Sequence, residues 1–209
     1  MRGVIGTIFD TLRGNVSRET SDKLDKYVGL LRAESEVQNL VARSTLAEVW
    51  DRHIADSAQL LKIGERNGNW VDVGSGAGLP GLVLAVLGVK HITLVEPRRL
   101  RAEFLQRCLG QLVLTNATVV TAKIEQVTAQ ADVITARAVA PLSRLLEMTR
   151  HLSHRETVWV LPKGKSGRME LEEAQRSWQG RFRLEPSITQ EDAVIIVASE
   201  VQPRQKGRG

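Results

Sequence analysis

The sequence predicts an α/β protein: a mainly parallel sheet with helices on both faces and a helical extension at the N-terminus. Three observations carry this. From residue 69 onward, apolar runs of strand length alternate with helix-length amphipathic stretches, the pattern of repeated βαβ units. The first of those runs passes directly into a bare turn, so that residues 71–81 read VDVGSGAGLPG, with four glycines and a proline. Residues 20–62, by contrast, show only the three- and four-residue apolar spacing of helices.

Taken in order, Leu24, Tyr27, Val28 and Leu31, then Val37, Leu40 and Val41, mark one helical face. STLAEVW at 44–50 reads as a capping box, with Ser44 or Thr45 at the N-cap and Glu48 reaching back. It opens a helix through Trp50, His53, Ile54 and Ser57 to Leu61, and RNGN at 66–69 is a turn. Strands are expected at 69–73, 91–95, 117–121, 132–136, 157–161, 182–185 and 193–199. Helices are expected at 80–87, 98–110, 141–152 and 168–179, with a short turn near 124–127. No helix separates the last two strands, so the sheet should end in an antiparallel pair. The chain thus divides into a helical extension (1–64), a core (65–202) and a basic, flexible tail (203–209). Ligands of open α/β sheets bind beyond the carboxyl ends of the strands, which directs attention to the loops after the first four.

Bulk properties narrow the classes. The 209 residues suit one domain with an appended segment. No apolar stretch reaches the roughly 20 residues that cross a bilayer, and MRGVIGTIFDTLRG makes a poor signal peptide, so a cytoplasmic protein is expected. A single cysteine, Cys108, excludes an internal disulfide and a multi-cysteine zinc site. The four histidines are not at ligand spacing, so no metal is expected, and Cys108 reads as a helix-packing residue. The net charge of +5 favours an anionic partner. Residues 1–64 balance 9 basic against 9 acidic residues, whereas 65–154 carry 10 against 7 and 155–209 carry 10 against 8.

Three kinds of glycine loop compete for residues 71–81. A Walker P-loop needs a lysine after its last glycine, and none follows. A dinucleotide fingerprint, G-x-G-x-x-G, meets Leu79 when counted from Gly74 and fits only from Gly76, two residues late. A class I AdoMet-dependent methyltransferase loop, D/E-x-G-x-G-x-G, fits at every position from Asp72 through Gly74, Gly76 and Gly78. AdoMet carries no phosphate, so an acid at the strand end does not oppose it, and the glycines let backbone approach closely. Glu96, at the end of the second expected strand, is placed to accept the ribose hydroxyls, as it would be in a dinucleotide enzyme. The fold class is therefore a class I AdoMet-dependent methyltransferase, Rossmann-like.

DVGSGAGLPGLVLA, with RHIADS (52–57), LVEPRRLRAEFL (94–105), ITARAVAPL (134–142) and LPKG (161–164), resembles the ribosomal RNA small subunit methyltransferase G family, also called glucose-inhibited division protein B. The resemblance runs in matching order over roughly residues 24–200. It implies a class I methyltransferase sheet with an N-terminal helical extension. It also implies methyl transfer from AdoMet, leaving S-adenosyl-L-homocysteine, to N7 of a guanine in the 530 loop of 16S rRNA. Carried onto this chain, the cofactor contacts fall on Gly74 and Leu79, on Ile124 and Glu125 beside the adenine, and on Arg137, with Glu96 at the ribose. The family pattern carries Asp where Glu96 stands, and Pro where Ala77 stands; either acid accepts hydroxyls, and the second change affects only loop stiffness.

Guanine N7 presents a lone pair and no proton, so alignment can replace a general base. The absence of an N/D-P-P-Y/F tetrapeptide after the fourth strand, where ARAV stands, agrees with that. Arg137 is the expected positioning residue, able to hold a carboxylate, a phosphate or a base edge. Arg52 and Asp56 lie one turn apart and read as a surface ion pair on a helix whose Arg52 and His53 could touch substrate. Arg98, Arg99, Arg101, Lys163 and Lys165 form an expected RNA-backbone footprint. Aromatic residues make up only 4% of the chain, which argues against an autonomous single-strand binder and for a structured particle as substrate. The expected partner is 16S rRNA within the small ribosomal subunit or its precursor, met by a monomer, with no membrane or DNA partner. A methyltransferase of another acceptor, a nicotinamide-dependent oxidoreductase and a ribosome-assembly factor with little catalysis remain the alternatives.

Overall fold

The computed structural model describes residues 16–205. Its strands β1 (Asn69–Val73), β2 (His91–Val95), β3 (Ala117–Val120), β4 (Ala131–Ala136), β5 (Ser153–Lys163), β6 (Trp178–Pro186) and β7 (Val194–Pro203) form one sheet ordered β3-β2-β1-β4-β5-β7-β6. Strands β1 to β5 are mutually parallel, and β7 runs antiparallel between β5 and β6. The mixed α/β class and the antiparallel ending match the sequence expectation. Strand order reverses between β1 and β4, which opens a crevice at their carboxyl ends.

Helices α1 (Arg18–Ser35), α2 (Gly81–Val86), α3 (Arg99–Leu112), α4 (Leu142–Thr149) and α5 (Gly167–Ser177) cover the two faces. Period-two alternation in β1 sorts the core: Trp70 packs with Tyr27, Leu31, Leu82 and Phe104 on one side, Val71 and Val73 with Leu145, Leu146 and Trp159 on the other. Helix α1 starts at Ser17, whose hydroxyl accepts the Thr20 amide at 3.1 Å, and buries Leu24, Tyr27, Val28 and Leu31. Its length covers the glycine loop, and the Tyr27 hydroxyl donates to the Ala77 carbonyl at 2.8 Å. No helix among the described residues is long and apolar enough to cross a membrane.

Several boundaries depart from the sequence reading. Helix α1 stops at Ser35, and Val37, expected on its buried face, is 82% exposed. Ser35 turns its hydroxyl back onto the Leu31 carbonyl at 2.7 Å, a bond that competes with helix propagation. The capping box does not form. A single turn at Arg43–Leu46 instead starts from Ala42, which has no capping side chain, and Thr45 falls inside it with its hydroxyl engaged by the Ala42 carbonyl and by His53. The expected helix to Leu61 becomes a π-helical turn at Trp50–Ala55, one α turn at Asp56–Ala58 and a 3₁₀ turn at Gln59–Lys62. The last predicted helix ends two residues early, since Trp178 is buried at the head of β6 and pairs with Pro203. Pro203 and Arg204 are consequently not a free tail: the Arg204 amide donates to the Ser177 carbonyl at 2.8 Å. Residues 206–209 of the expected tail, and 1–15 of the expected extension, lie outside the described residues.

Tyr27→Phe removes the donor to a buried loop carbonyl. It is expected to lower unfolding stability by about 1–3 kcal/mol with an unchanged denaturant slope, as read by urea titration.

Candidate active site

The loops after β1, β2, β3 and β4 converge on the crevice. In the first, Gly74, Gly76 and Gly78 take φ of +66°, +52° and +90°, the left-handed region closed to most side chains. A Cβ on Gly78 would also meet Leu82 at 2.4 Å. Gly81 has a different reason to be glycine: a Cβ there would stand 2.4 Å from Asp72 Oδ2. Its absence lets the start of α2 descend until the Gly81 amide donates to that oxygen at 3.1 Å. The LPG that breaks the dinucleotide register is thus the part that seats α2 on Asp72. Leu79 is buried against the core behind the loop, and the Leu79–Pro80 bond is cis.

Asp72 is wholly buried, and burial pushes its carboxyl up to about 7, opposed by the Gly81 amide. Its Oδ1 has no hydrogen-bond partner, nor has Oγ1 of Thr135, the residue paired with it across β1 and β4. Two open buried polar atoms at the root of the loop call for a water or a ligand group between them. Glu96, 3% exposed, accepts the Gly76 amide at 2.9 Å through Oε2 and the Arg98 amide at 2.9 Å through Oε1. Each carboxylate oxygen keeps a further lone pair for a hydroxyl. Ile124 is buried in a 3₁₀ turn after β3, and Glu125 beside it is exposed, 3.9 Å from Arg144.

Arg137, at the end of β4, is held by the segment above it. Its Nη1 donates to His53 Nδ1 at 3.1 Å, to the Arg52 carbonyl at 3.4 Å and to Asp56 Oδ2 at 3.5 Å. Burial and the adjacent guanidinium lower the His53 pKa to about 4, so the imidazole stays neutral and accepts at Nδ1 while Nε2 donates to Thr45. Asp56 Oδ1 in turn accepts Gln59 at 2.8 Å and Thr189 at 2.9 Å, and Gln59 Oε1 accepts the Ile188 amide at 3.0 Å. The expected Arg52–Asp56 surface pair is therefore absent. The π-turn brings His53 and Asp56 inward together, while the Arg52 guanidinium lies 3.9 Å from Glu48. Sequence spacing could not reveal this junction, because its other half comes from the β6–β7 turn more than a hundred residues away.

A cavity of about 140 Å³ opens beside the junction, lined by Arg137, His53, Asp56, Lys163, Gly164 and Gln190 among others. Lys163 is not free to meet phosphate. Its ammonium bonds the Ala140 carbonyl and Glu170, each at 2.8 Å, and thereby fixes the loop that follows Arg137, in which Ala138 has φ of +55°. Lys165 and Arg98 are exposed, Arg99 pairs with Glu103 at 2.7 Å, and Arg101 donates to the Asn39 carbonyl at 3.0 Å. The five residues of the expected footprint thus do not form one free cationic surface. Cys108 is buried and its thiol is pushed up to about 12, the state of a packing residue. No cluster of three or more metal-ligating side chains occurs among the described residues.

The family model described as rRNA small subunit methyltransferase G matches residues 20–192. The ribosomal RNA small subunit methyltransferase G of Zymomonas mobilis is 44% identical over 204 residues, 93% of this chain and 92% of that one. Its counterpart in Erythrobacter litoralis is 47% identical over 179 residues, 84% of this chain and 86% of that one. Among solved structures, M. jannaschii TYW2 in complex with AdoMet superposes with a TM-score of 0.57 at 13% identity, covering 80% of each chain, a likeness of fold.

The buried carboxyl at the loop root makes a pH prediction. Asp72 titrates at about 7 when folded and near ~3.9 when unfolded, so folding takes up a proton between those values. Its contribution to stability is fullest below pH ~4, declines as pH rises towards ~7 and levels off above. The unfolding free energy of Asp72→Asn relative to the parent chain should therefore rise steeply from pH 5 to 7 and flatten only above the folded pKa of about 7, in urea titrations at each pH.

Proposed function

The chain belongs to the rRNA small subunit methyltransferase G family, and on that premise we propose that it transfers a methyl group from AdoMet to N7 of a guanine in the 530 loop of 16S rRNA. The observation that carries this reading is the convergence on one crevice of a positive-φ glycine loop, the Glu96 carboxylate and the Arg137 guanidinium. Residues 65–202 are read as the AdoMet-binding core and residues 1–64 as its helical extension. The working unit is read as a single chain. Its place of action is the cytoplasm, where its ribosomal substrate is.

The residues present suit AdoMet. Gly74, Gly76 and Gly78 offer backbone without side chains, and Glu96 offers two oxygens already oriented by amides for the ribose hydroxyls. Leu79 belongs with the glycine loop as a cofactor contact, and Ile124 and Glu125 border the adenine. The open Asp72 Oδ1 and Thr135 Oγ1 suit the ligand ammonium, directly or through a water. Bound AdoMet supplies an electrophilic methyl on sulfur. The chain's own task is then alignment: guanine N7 needs no deprotonation, and none of these side chains need act as a base. Arg137 is oriented through Nη1 alone, which leaves Nε and Nη2 to hold the ligand carboxylate or the base edge. The cavity beside it, walled by the segment carrying Arg52 and His53 and by the end of β5, is the reading's acceptor pocket. A guanine entering it must leave its stack, since N7 in an A-form helix faces a groove too narrow for side chains.

Purified small subunits from a strain lacking the gene, incubated with the protein and AdoMet, should gain 7-methylguanosine in 16S rRNA by nucleoside mass spectrometry; no gain overturns the reading. Arg137→Ala should retain the thermal transition of the parent chain and lose on the order of 10²-fold in turnover, and near-normal turnover would remove Arg137 from the site.

A further inference from the structure

A wide groove opens toward the other end of the sheet. It is walled by α4 along its length, the start of β5, the junction of α5 with β6, and the end of β7. The last three lie at the amino edge of the parallel strands, whereas the first turn of α4 carries the groove up to Arg144, 3.9 Å from Glu125. Strand β5 spans the interval: Arg155 stands in the groove and Lys163 at the active-site edge, and the regular ladder between Val158 and Lys163 alone covers roughly 16 Å.

Five arginines line this groove, Arg144, Arg150, Arg155, Arg176 and Arg204, against two glutamates, Glu147 and Glu200. Both acids are already matched: Glu147 to Arg144 at 2.7 Å, and Glu200 to Arg181 at 3.2 Å from outside the lining. Arg150, Arg155, Arg176 and Arg204 have no acidic partner within 4.0 Å among the described residues. Four uncompensated guanidiniums around one concavity repel one another and are retained at a cost, which an anion would offset.

The backbone is shaped to present them. Between β4 and β5 the pairing jumps from Ala131↔Ser153 to Val133↔Val158, so residues 154–157 bulge out of the ladder. The bulge is pinned from inside: Thr157 donates to the Ala131 carbonyl at 2.6 Å and accepts the His154 amide at 2.8 Å, while His154 bonds Asp132 at 2.9 Å. Arg155 is carried on its exposed rim, whereas the neighbouring Glu156 does not line the groove. A second irregularity, at Gly180 with φ of +156° opposite Glu200 with φ of +54°, bends β6 and β7 on the far wall. Arg204 is oriented by its Nε, which donates to the Gln175 and Trp178 carbonyls at 2.8 and 3.2 Å and leaves its terminal nitrogens outward. Bulges of this kind re-aim side chains and are fixed features of a fold.

We propose that this groove docks the phosphate backbone of a second, structured segment of the RNA substrate, away from the segment that is methylated. The groove is too large for a small anion and offers no exposed Trp, Tyr or Phe for stacking: its two tryptophans, Trp159 and Trp178, are buried. Separated, planar cations without stacking platforms recognise the spacing of phosphates on a folded RNA. The inference rests on the reading of the substrate as rRNA, and it accounts for how a chain poor in aromatic residues engages an RNA particle: by two separated contacts, one reading the base and one the shape.

The charge-reversed variant Arg155→Glu/Arg176→Glu tests it, since both residues are exposed and outside the active site. Binding of a fluorescent RNA duplex of arbitrary sequence, followed by anisotropy from 50 to 300 mM salt, should weaken at least tenfold, and the log–log salt slope should become shallower by about two. With small subunits as substrate, KM should rise while kcat and AdoMet affinity stay at parent values. Duplex binding is read without methyl transfer, so failure of the proposed activity would leave this arm standing, and its own failure would leave the activity standing. Unchanged duplex affinity and slope would overturn the proposal, as would loss of binding to polyglutamate without loss of binding to RNA, which would assign the groove to an acidic protein.

Discussion

Two buried carboxylates hold the glycine loop from below, and the crevice depends on them. Asp72 accepts the amide of Gly81 at the start of α2, and Glu96 accepts the amide of Gly76 in mid-loop. Between β1 and α2 three glycines take left-handed conformations and carry no side chain, so the apolar side chains that pack the loop against the core are Ala77, Leu79 and Pro80, and its backbone needs further bracing. Amide-to-carboxylate bonds in a dry setting supply the missing rigidity. Each also places an acid where a ligand will need one, so the groups that build the loop are the groups that would read its occupant.

A second junction ties the walls together. Arg137 from the sheet, His53 and Asp56 from the helical segment, and Thr189 from the β6–β7 turn meet in one bonded chain. The partly exposed guanidinium offsets the desolvation of the buried Asp56 carboxylate, and the neutral imidazole accepts without adding charge. Lys163 does the corresponding work on the opposite side, anchoring the loop after Arg137 through Ala140 and Glu170. The chemistry expected of the site is alignment, and alignment is what such cross-bracing provides.

The parts legible in sequence were those governed by local rules. Strand β1 through β4, the antiparallel ending, the glycine loop and Glu96 follow from period-two runs, turn chemistry and spacing, and the structure returns them nearly residue for residue. What sequence spacing misplaced was governed by distant partners. The Thr45 hydroxyl, which locally suits an N-cap, is taken by His53; Asp56, one turn from Arg52, is taken by Arg137 and Thr189; Trp178, at the end of a helical pattern, is taken by β7. Lys163 looked like a phosphate ligand because nothing local announces Glu170 as its partner. Tyr27 read only as an apolar position, although its hydroxyl fixes the loop.

The separation of those partners along the chain bears on how the protein is made. The Tyr27–Ala77 bond closes once the first third of the chain exists, but Asp56 must wait for Thr189, 133 residues later. A chain emerging from its N-terminus can therefore form the cofactor loop early, while the wall that steadies Arg137 is completed only as synthesis nears its end. In the proposed reading, the cradle for the methyl donor thus draws on earlier parts of the chain than the pocket for its acceptor.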